Sequence, residues 1–125
     1  MKTVRINRKK WLRGSKDPQG NEASSYLWNN ECNAGCCLGH VIHQTNKVPY
    51  NNLHQLSSPE DFFHGASILT NYDSEYYGDE SVVTNNLFTQ KAMMFNDDKY
   101  CDQLTRETKL IELFAENNIK LEFYN

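Results

Sequence analysis

The residues best suited to chemistry crowd into one short segment: Cys32, Cys36, Cys37, His40 and His43. On a helix, positions 36 and 40, 37 and 40, or 40 and 43 share a face. Thiolate and imidazole are the usual tetrahedral zinc ligands. The spacing lacks the two separated two-cysteine knuckles of a structural zinc site, and adjacent cysteines project in diverging directions. A second chemistry is thiol catalysis. Cys36 or Cys37 at a helix start would be favoured as thiolate, with His54 or His64 as the base. No diagnostic nucleophile neighbourhood surrounds either residue. Burial of both cysteines in the core is the simpler expectation, with no cofactor and no catalytic residue assigned.

The carboxylates do not add a reaction. Glu60-Asp61 suits a helix start and Asp97-Asp98 the approach to one, where negative charge is locally favourable. No phosphate-binding Gly-Lys-Ser loop and no dinucleotide glycine fingerprint is present. The sequence therefore favours binding over catalysis.

Charge is segregated along the chain. Lys2, Arg5, Arg8, Lys9, Lys10, Arg13 and Lys16 place seven cations and no acid in the first 16 residues. The other 109 residues carry six basic and sixteen acidic side chains, so a segment near +7 joins a body near −10, with −3 overall. Such separation steers encounters with charged partners or docks one part of the chain on another. Three binding modes follow. Arg5, Arg8, Lys9, Lys10 and Arg13 could neutralise nucleic-acid phosphates while Trp11 stacks on a base. Arg5, Arg8 and Arg13 could instead hold a small anionic ligand or nucleotide. Finally, Glu75, Asp79 and Glu80, interleaved with Tyr72, Tyr76 and Tyr77, form an acidic-aromatic surface suited to a basic groove on a host protein.

These residues need a scaffold. A chain of 125 residues suits one domain. Val4 and Ile6 alternate in a short strand, and Trp11-Leu12 can anchor the basic segment on the core. The stretch Gly14–Gly20 reads as a turn, and Ala23–Trp28 as a short helix. Cys36, Cys37, Leu38, Val41 and Ile42 define one broad helix face, on which Gly39 permits close contact with a neighbour. Ser58-Pro59 starts another helix. Residues 66–72 fit a strand or buried irregular structure, and 73–80 a solvated loop. Val83, Leu87, Phe88, Lys91 and Phe95 mark a helix within 82–95. The clearest helix spans 102–117, with Leu104, Ile111, Leu113 and Phe114 as its broad apolar face, Leu110 and Ala115 at the edges of that face, and Asp98 or Asp102 as its cap. Ile119–Phe123 alternates as a final strand. The expected fold is α+β: a compact single domain over 1–125, closed by pairing of the terminal strands. Fifteen asparagines, many in pairs, fit turns and helix ends.

Trp11-Leu-Arg-Gly14, Cys36-Cys-Leu-Gly39, Asn96-Asp-Asp, Arg106-Glu and Ile111-Glu-Leu-Phe-Ala-Glu-Asn-Asn-Ile119 occur in an order that spans most of the chain. In this combination the sequence resembles a family of small bacteriophage and prophage proteins. The resemblance implies a phage accessory protein in the cytoplasm of an infected bacterium and carries no catalytic assignment. With no stretch of about 20 apolar residues and no secretory leader pattern, the chain is expected to be soluble. The leading expectation is a non-enzymatic protein that binds and modulates a host macromolecule, foremost a protein. Small-anion sequestration, nucleic-acid binding and cysteine-dependent hydrolysis are the alternatives, and homo-oligomerisation is open.

Overall fold

The computed structural model describes residues 2–63 and 86–125. Strand β1 (Lys2–Asn7) pairs in parallel with β2 (Ile119–Tyr124), with Val4 opposite Leu121 and Ile6 opposite Phe123. The alternation read from sequence turns Val4, Ile6, Ile119 and Leu121 inward, all essentially inaccessible to solvent. On the other side of β1, the Gln44 amide accepts from Arg5 N and donates to Arg5 O, standing in for a further strand.

Among the described residues, four α-helices accompany this sheet: α1 (Cys37–Asn46), α2 (Pro59–Phe63), α3 (Asn86–Asp97) and α4 (Gln103–Glu116). Cys36, Cys37, Leu38, Val41 and Ile42 are all buried, as their spacing predicts. Lys47 ends α1 in the left-handed region at φ 59°. At the start of α2, the Asp61 carboxylate accepts from the backbone N–H of Ser57 and Ser58. Asp102 caps α4 by accepting from Thr105 N at 2.7 Å.

Two helix faces differ from expectation. On α4 the buried stripe is Arg106, Glu107, Leu110, Leu113 and Phe114, while Leu104 is 77% and Ile111 41% exposed. Counting hydrophobic residues alone displaced the stripe, because two charged residues occupy inward positions at i, i+4 and i+7 spacing. On α3 the inward line is Phe88, Ala92 and Asn96, and Leu87 faces out. Phe88 meets Phe114 edge-on, with ring centroids 5.1 Å apart, and this contact joins α3 to α4.

The segment 23–28 is not a helix. Its backbone groups are spent sideways: Ala23 N–H on Ser15 O, Leu27 N–H on Leu56 O, and Tyr26 O on Cys36 N–H. A helix over 23–28 would need the Leu27 N–H for its own bond to Ala23 O. The readings of 66–72, 73–80 and Val83 lie outside the described residues. No helix among the described residues is long and apolar enough to cross a membrane.

Candidate anion-binding cleft

Asn96, in the last turn of α3 and 1% exposed, is the hub from which the cleft is built. Its Oδ1 accepts from Trp11 Nε1–H at 2.8 Å and from Cys37 N–H at 3.1 Å. The second bond caps α1 from another helix, since Cys36 supplies no side-chain cap of its own. Asn96 Nδ2 donates to Leu12 O and to Asp97 Oδ1, each at 2.9 Å. The Asn96 carbonyl accepts from Gly14 N–H at 2.8 Å. One amide residue thus ties the segment after β1 to the start of α1 and the end of α3.

Gly14 opens a tight reversal. Arg13 and Lys16 exchange both backbone hydrogen bonds, and Gly14 and Ser15 have φ of 62° and 59°. Positive φ at both central residues is the signature of a type I′ hairpin turn, whose first central position here is glycine. The turn sets Arg13 opposite Lys16. It also brings Gly14 against α4, where a Cβ on residue 14 would stand 2.9 Å from Arg106 Nη2. Arg106 is held by the carbonyls of Asp98 and Cys101 and by Gln103 Oε1, and its buried Nε has no hydrogen-bond partner.

The result is a cleft of about 250 Å³ lined by Arg13, Gly14, Lys16, Asp17, Lys99 and Arg106, with Pro18 and Gly20 at its rim. None of the four cations has an ion-pair partner among the described residues. The Asp17 carboxylate instead accepts from Gln19 N–H and Asn21 N–H, bracing its own loop. Burial, and after it the neighbouring Arg106, holds the Arg13 guanidinium below its ordinary value, with Arg8 adding to this and Glu107 opposing it. Arg13 and Arg106 are thus neighbouring guanidiniums, neither of them ion-paired among the described residues.

The basic segment does contact the acidic body. Arg8 makes a two-pronged ion pair with Glu107 of α4, at 2.8 and 2.9 Å. Arg5 pairs with Glu122 of β2 at 3.0 Å. Lys9 and Lys10 are exposed. Trp11 is fully buried, with its ring 4.5 Å from Phe123 and Arg13 over its face. It anchors the segment on the core, as its sequence position suggested, and is inaccessible to a nucleic-acid base. Of the arginines read as anion contacts, Arg13 alone lines this cleft. Lys99 and Arg106 were missed. Arg106 had a signal, since it lies in register with Leu110, Leu113 and Phe114; Lys99 had none.

The cysteine and histidine cluster is dispersed into packing. Burial pushes the Cys36 thiol up to about 12 and the Cys37 thiol well above its usual value, opposite to the shift that activates a nucleophile. Cys37 Sγ lies 3.9 Å from Ala92 O and Cys32 Sγ 3.9 Å from Asn29 O, and all four thiols are free. His54 Nδ1 accepts from Asn30 N–H, and His43 Nδ1 donates to Val48 O. No group of three or more metal-ligating side chains gathers among the described residues. His64 and the acidic-aromatic series Tyr72, Glu75, Tyr76, Tyr77, Asp79 and Glu80 lie outside them.

His40 has a structural role that can be measured. Its Nε2 is 2.8 Å from the Lys10 carbonyl, so Nε2 carries the hydrogen, and Nδ1 accepts from the Tyr50 hydroxyl at 3.0 Å. Tyr50 is itself stacked between Trp28 and His43. Burial lowers His40 to about 4. In the unfolded chain it titrates near 6.5, so the unfolded state binds the proton first as pH falls. Stability from this group is complete above about pH 6.5 and is lost between there and about pH 4, by roughly 3 kcal/mol. Urea unfolding midpoints across that window should fall accordingly, and His40→Gln should flatten the slope.

No family model, no curated protein and no solved structure matches the chain. Trp11–Gly14, Cys36–Gly39, Asn96–Asp98 and Arg106, distant in sequence, meet at the Asn96 hub and the cleft beside it.

Proposed function

We propose that this protein is a non-enzymatic binding protein that captures a phosphate-bearing ligand between the Gly14 turn and the start of α4. The observation that carries this reading is the set of four cations, Arg13, Lys16, Lys99 and Arg106, around one cleft with no carboxylate paired to any of them. Arg8 and Arg5 show that this fold pairs cations with carboxylates elsewhere. Supporting it further, Arg106 is held in place by backbone carbonyls before any ligand arrives, which reduces the ordering cost of binding. The raised thiols favour capture over thiol chemistry. This reading takes up the small-anion alternative; the leading expectation, a host-protein partner for the acidic-aromatic series, falls on residues outside those described.

Titration with inorganic phosphate, followed by backbone amide shifts, tests the reading. Shifts should concentrate on residues 13–20 and 98–106 and weaken with added salt. The Lys16→Gln, Lys99→Gln double variant removes two exposed cations and should weaken phosphate binding by roughly tenfold without loss of fold. Absence of any localised shift at millimolar phosphate and low salt would overturn it.

A further inference from the structure

Beside the cationic cleft lies a second cavity of about 420 Å³, lined by Ser15, Glu22, Ala23, Ser24 and Lys99. Lys99 lines both cavities, and Ser15 lies in the same turn as Arg13, Gly14 and Lys16. The wall between them is fixed by backbone pairing, since Lys16 bridges to Glu22 and Ala23 N–H donates to Ser15 O at 3.0 Å. The two lobes differ in chemistry. One has four cations and a single carboxylate, Asp17, which is bonded to the N–H groups of its own loop. The other offers two hydroxyls and a carboxylate with no ion-pair partner among the described residues.

We infer that the two cavities form one bipartite site for a sugar monophosphate, with the phosphate among Arg13, Lys16 and Arg106 and the sugar hydroxyls against Ser15, Glu22 and Ser24. This inference rests on the anion-binding reading above and narrows it. A carboxylate accepts hydrogen bonds from hydroxyls and repels a second anion, so Glu22 selects a ligand that is charged at one end and neutral at the other. Ser15 and Ser24 both donate and accept, matching a hydroxylated ring. Lys99 lies where the phosphate ester joins the sugar. No aromatic side chain among the described residues lines either lobe, so none of them offers a nucleobase a ring to stack on there.

Calorimetric titration of the full chain with inorganic phosphate, ribose 5-phosphate, ribose 1,5-bisphosphate and adenosine monophosphate separates the claims. Ribose 5-phosphate should bind about tenfold more tightly than inorganic phosphate, through the added hydroxyl contacts. The bisphosphate should bind more weakly than ribose 5-phosphate, and adenosine monophosphate no more tightly. In the Glu22→Gln, Ser24→Ala variant the preference for ribose 5-phosphate over phosphate should fall towards one, with phosphate binding unchanged or tighter. Equal affinity for phosphate and ribose 5-phosphate would overturn the bipartite site while leaving anion binding in place. A preference that survives the double variant would overturn the placement of the sugar. No binding of any of the four would overturn both readings.

Discussion

Replacing Asn96 with Ala is expected to cost on the order of 4 kcal/mol or more, a large share of the stability of a small domain. The substitution strips partners from the Trp11 indole N–H, the Cys37 N–H and the Leu12 carbonyl. All three residues are buried, and each group left without its partner costs about 1–3 kcal/mol. Small domains have only about 5–15 kcal/mol to lose. Urea denaturation should show a much lower midpoint for Asn96→Ala. The Asp variant should fall between the two, since a carboxylate still accepts from Trp11 and Cys37 but cannot donate to Leu12 O and lies beside Asp97. A midpoint shift worth less than about 1 kcal/mol would remove Asn96 from the centre of this account.

Gly39→Ala is expected to be nearly as damaging, against the ordinary rule for helix interiors. Alanine at an exposed helical site improves stability by roughly 0.8–1 kcal/mol over glycine. Here a Cβ on residue 39 would sit 1.7 Å from the Leu27 carbonyl oxygen and 2.6 Å from its carbon. The obstacle is backbone, and it cannot slide away freely. Leu27 N–H is bonded to Leu56 O at 2.7 Å, and the preceding Tyr26 carbonyl holds Cys36 N–H at 2.9 Å. Relieving the overlap means parting α1 from the 26–28 segment, with a loss of about 3 kcal/mol or more. Gly20→Ala is the useful comparison. It meets nothing within 4 Å and suffers only from φ of 91°, so its loss should be about 1 kcal/mol. Thermal melts of the two variants should differ plainly, and equal behaviour would refute the close approach of α1.

The parts of the fold legible in sequence were those governed by short-range periodicity. Val4 and Ile6, the Cys36–Ile42 face, the Asp102 cap and the final strand all follow from spacing and local hydrogen bonding. Gly39 was legible as a point of close approach, although not what approached it. Polar residues that turn inward were not legible. Leu104 and Ile111 drew the expected face of α4 away from Arg106 and Glu107, whose burial depends on Arg8 and on the carbonyls of Asp98 and Cys101. Asp97 was read as leading into a helix; it instead closes α3, where it accepts from Ser25 and Asn96. The cleft was only partly legible for the same reason. Arg13 stood out in the basic run, but Lys99 and Arg106 reach it from more than 80 residues away, and no local pattern reports a meeting of that kind.

The parallel pairing of β1 with β2 has a consequence for the order in which the protein can be assembled. Arg5 and Glu122, neighbours across the two strands, are 117 residues apart, whereas Arg5 and Gln44 are 39 apart. Closing the longer loop costs only about 1 kcal/mol more than the shorter one, so distance is a small burden on equilibrium. It is a larger one on time. As a ribosome extends the chain, Gln44 becomes available to β1 early, while Val4 and Ile6 must wait for Leu121 and Phe123 before that edge is covered. An unsheathed strand of this kind is open to mispairing with other nascent chains. The Gln44 amide, by holding the Arg5 N–H and carbonyl once it has emerged, covers one residue of β1 on its far side during that wait.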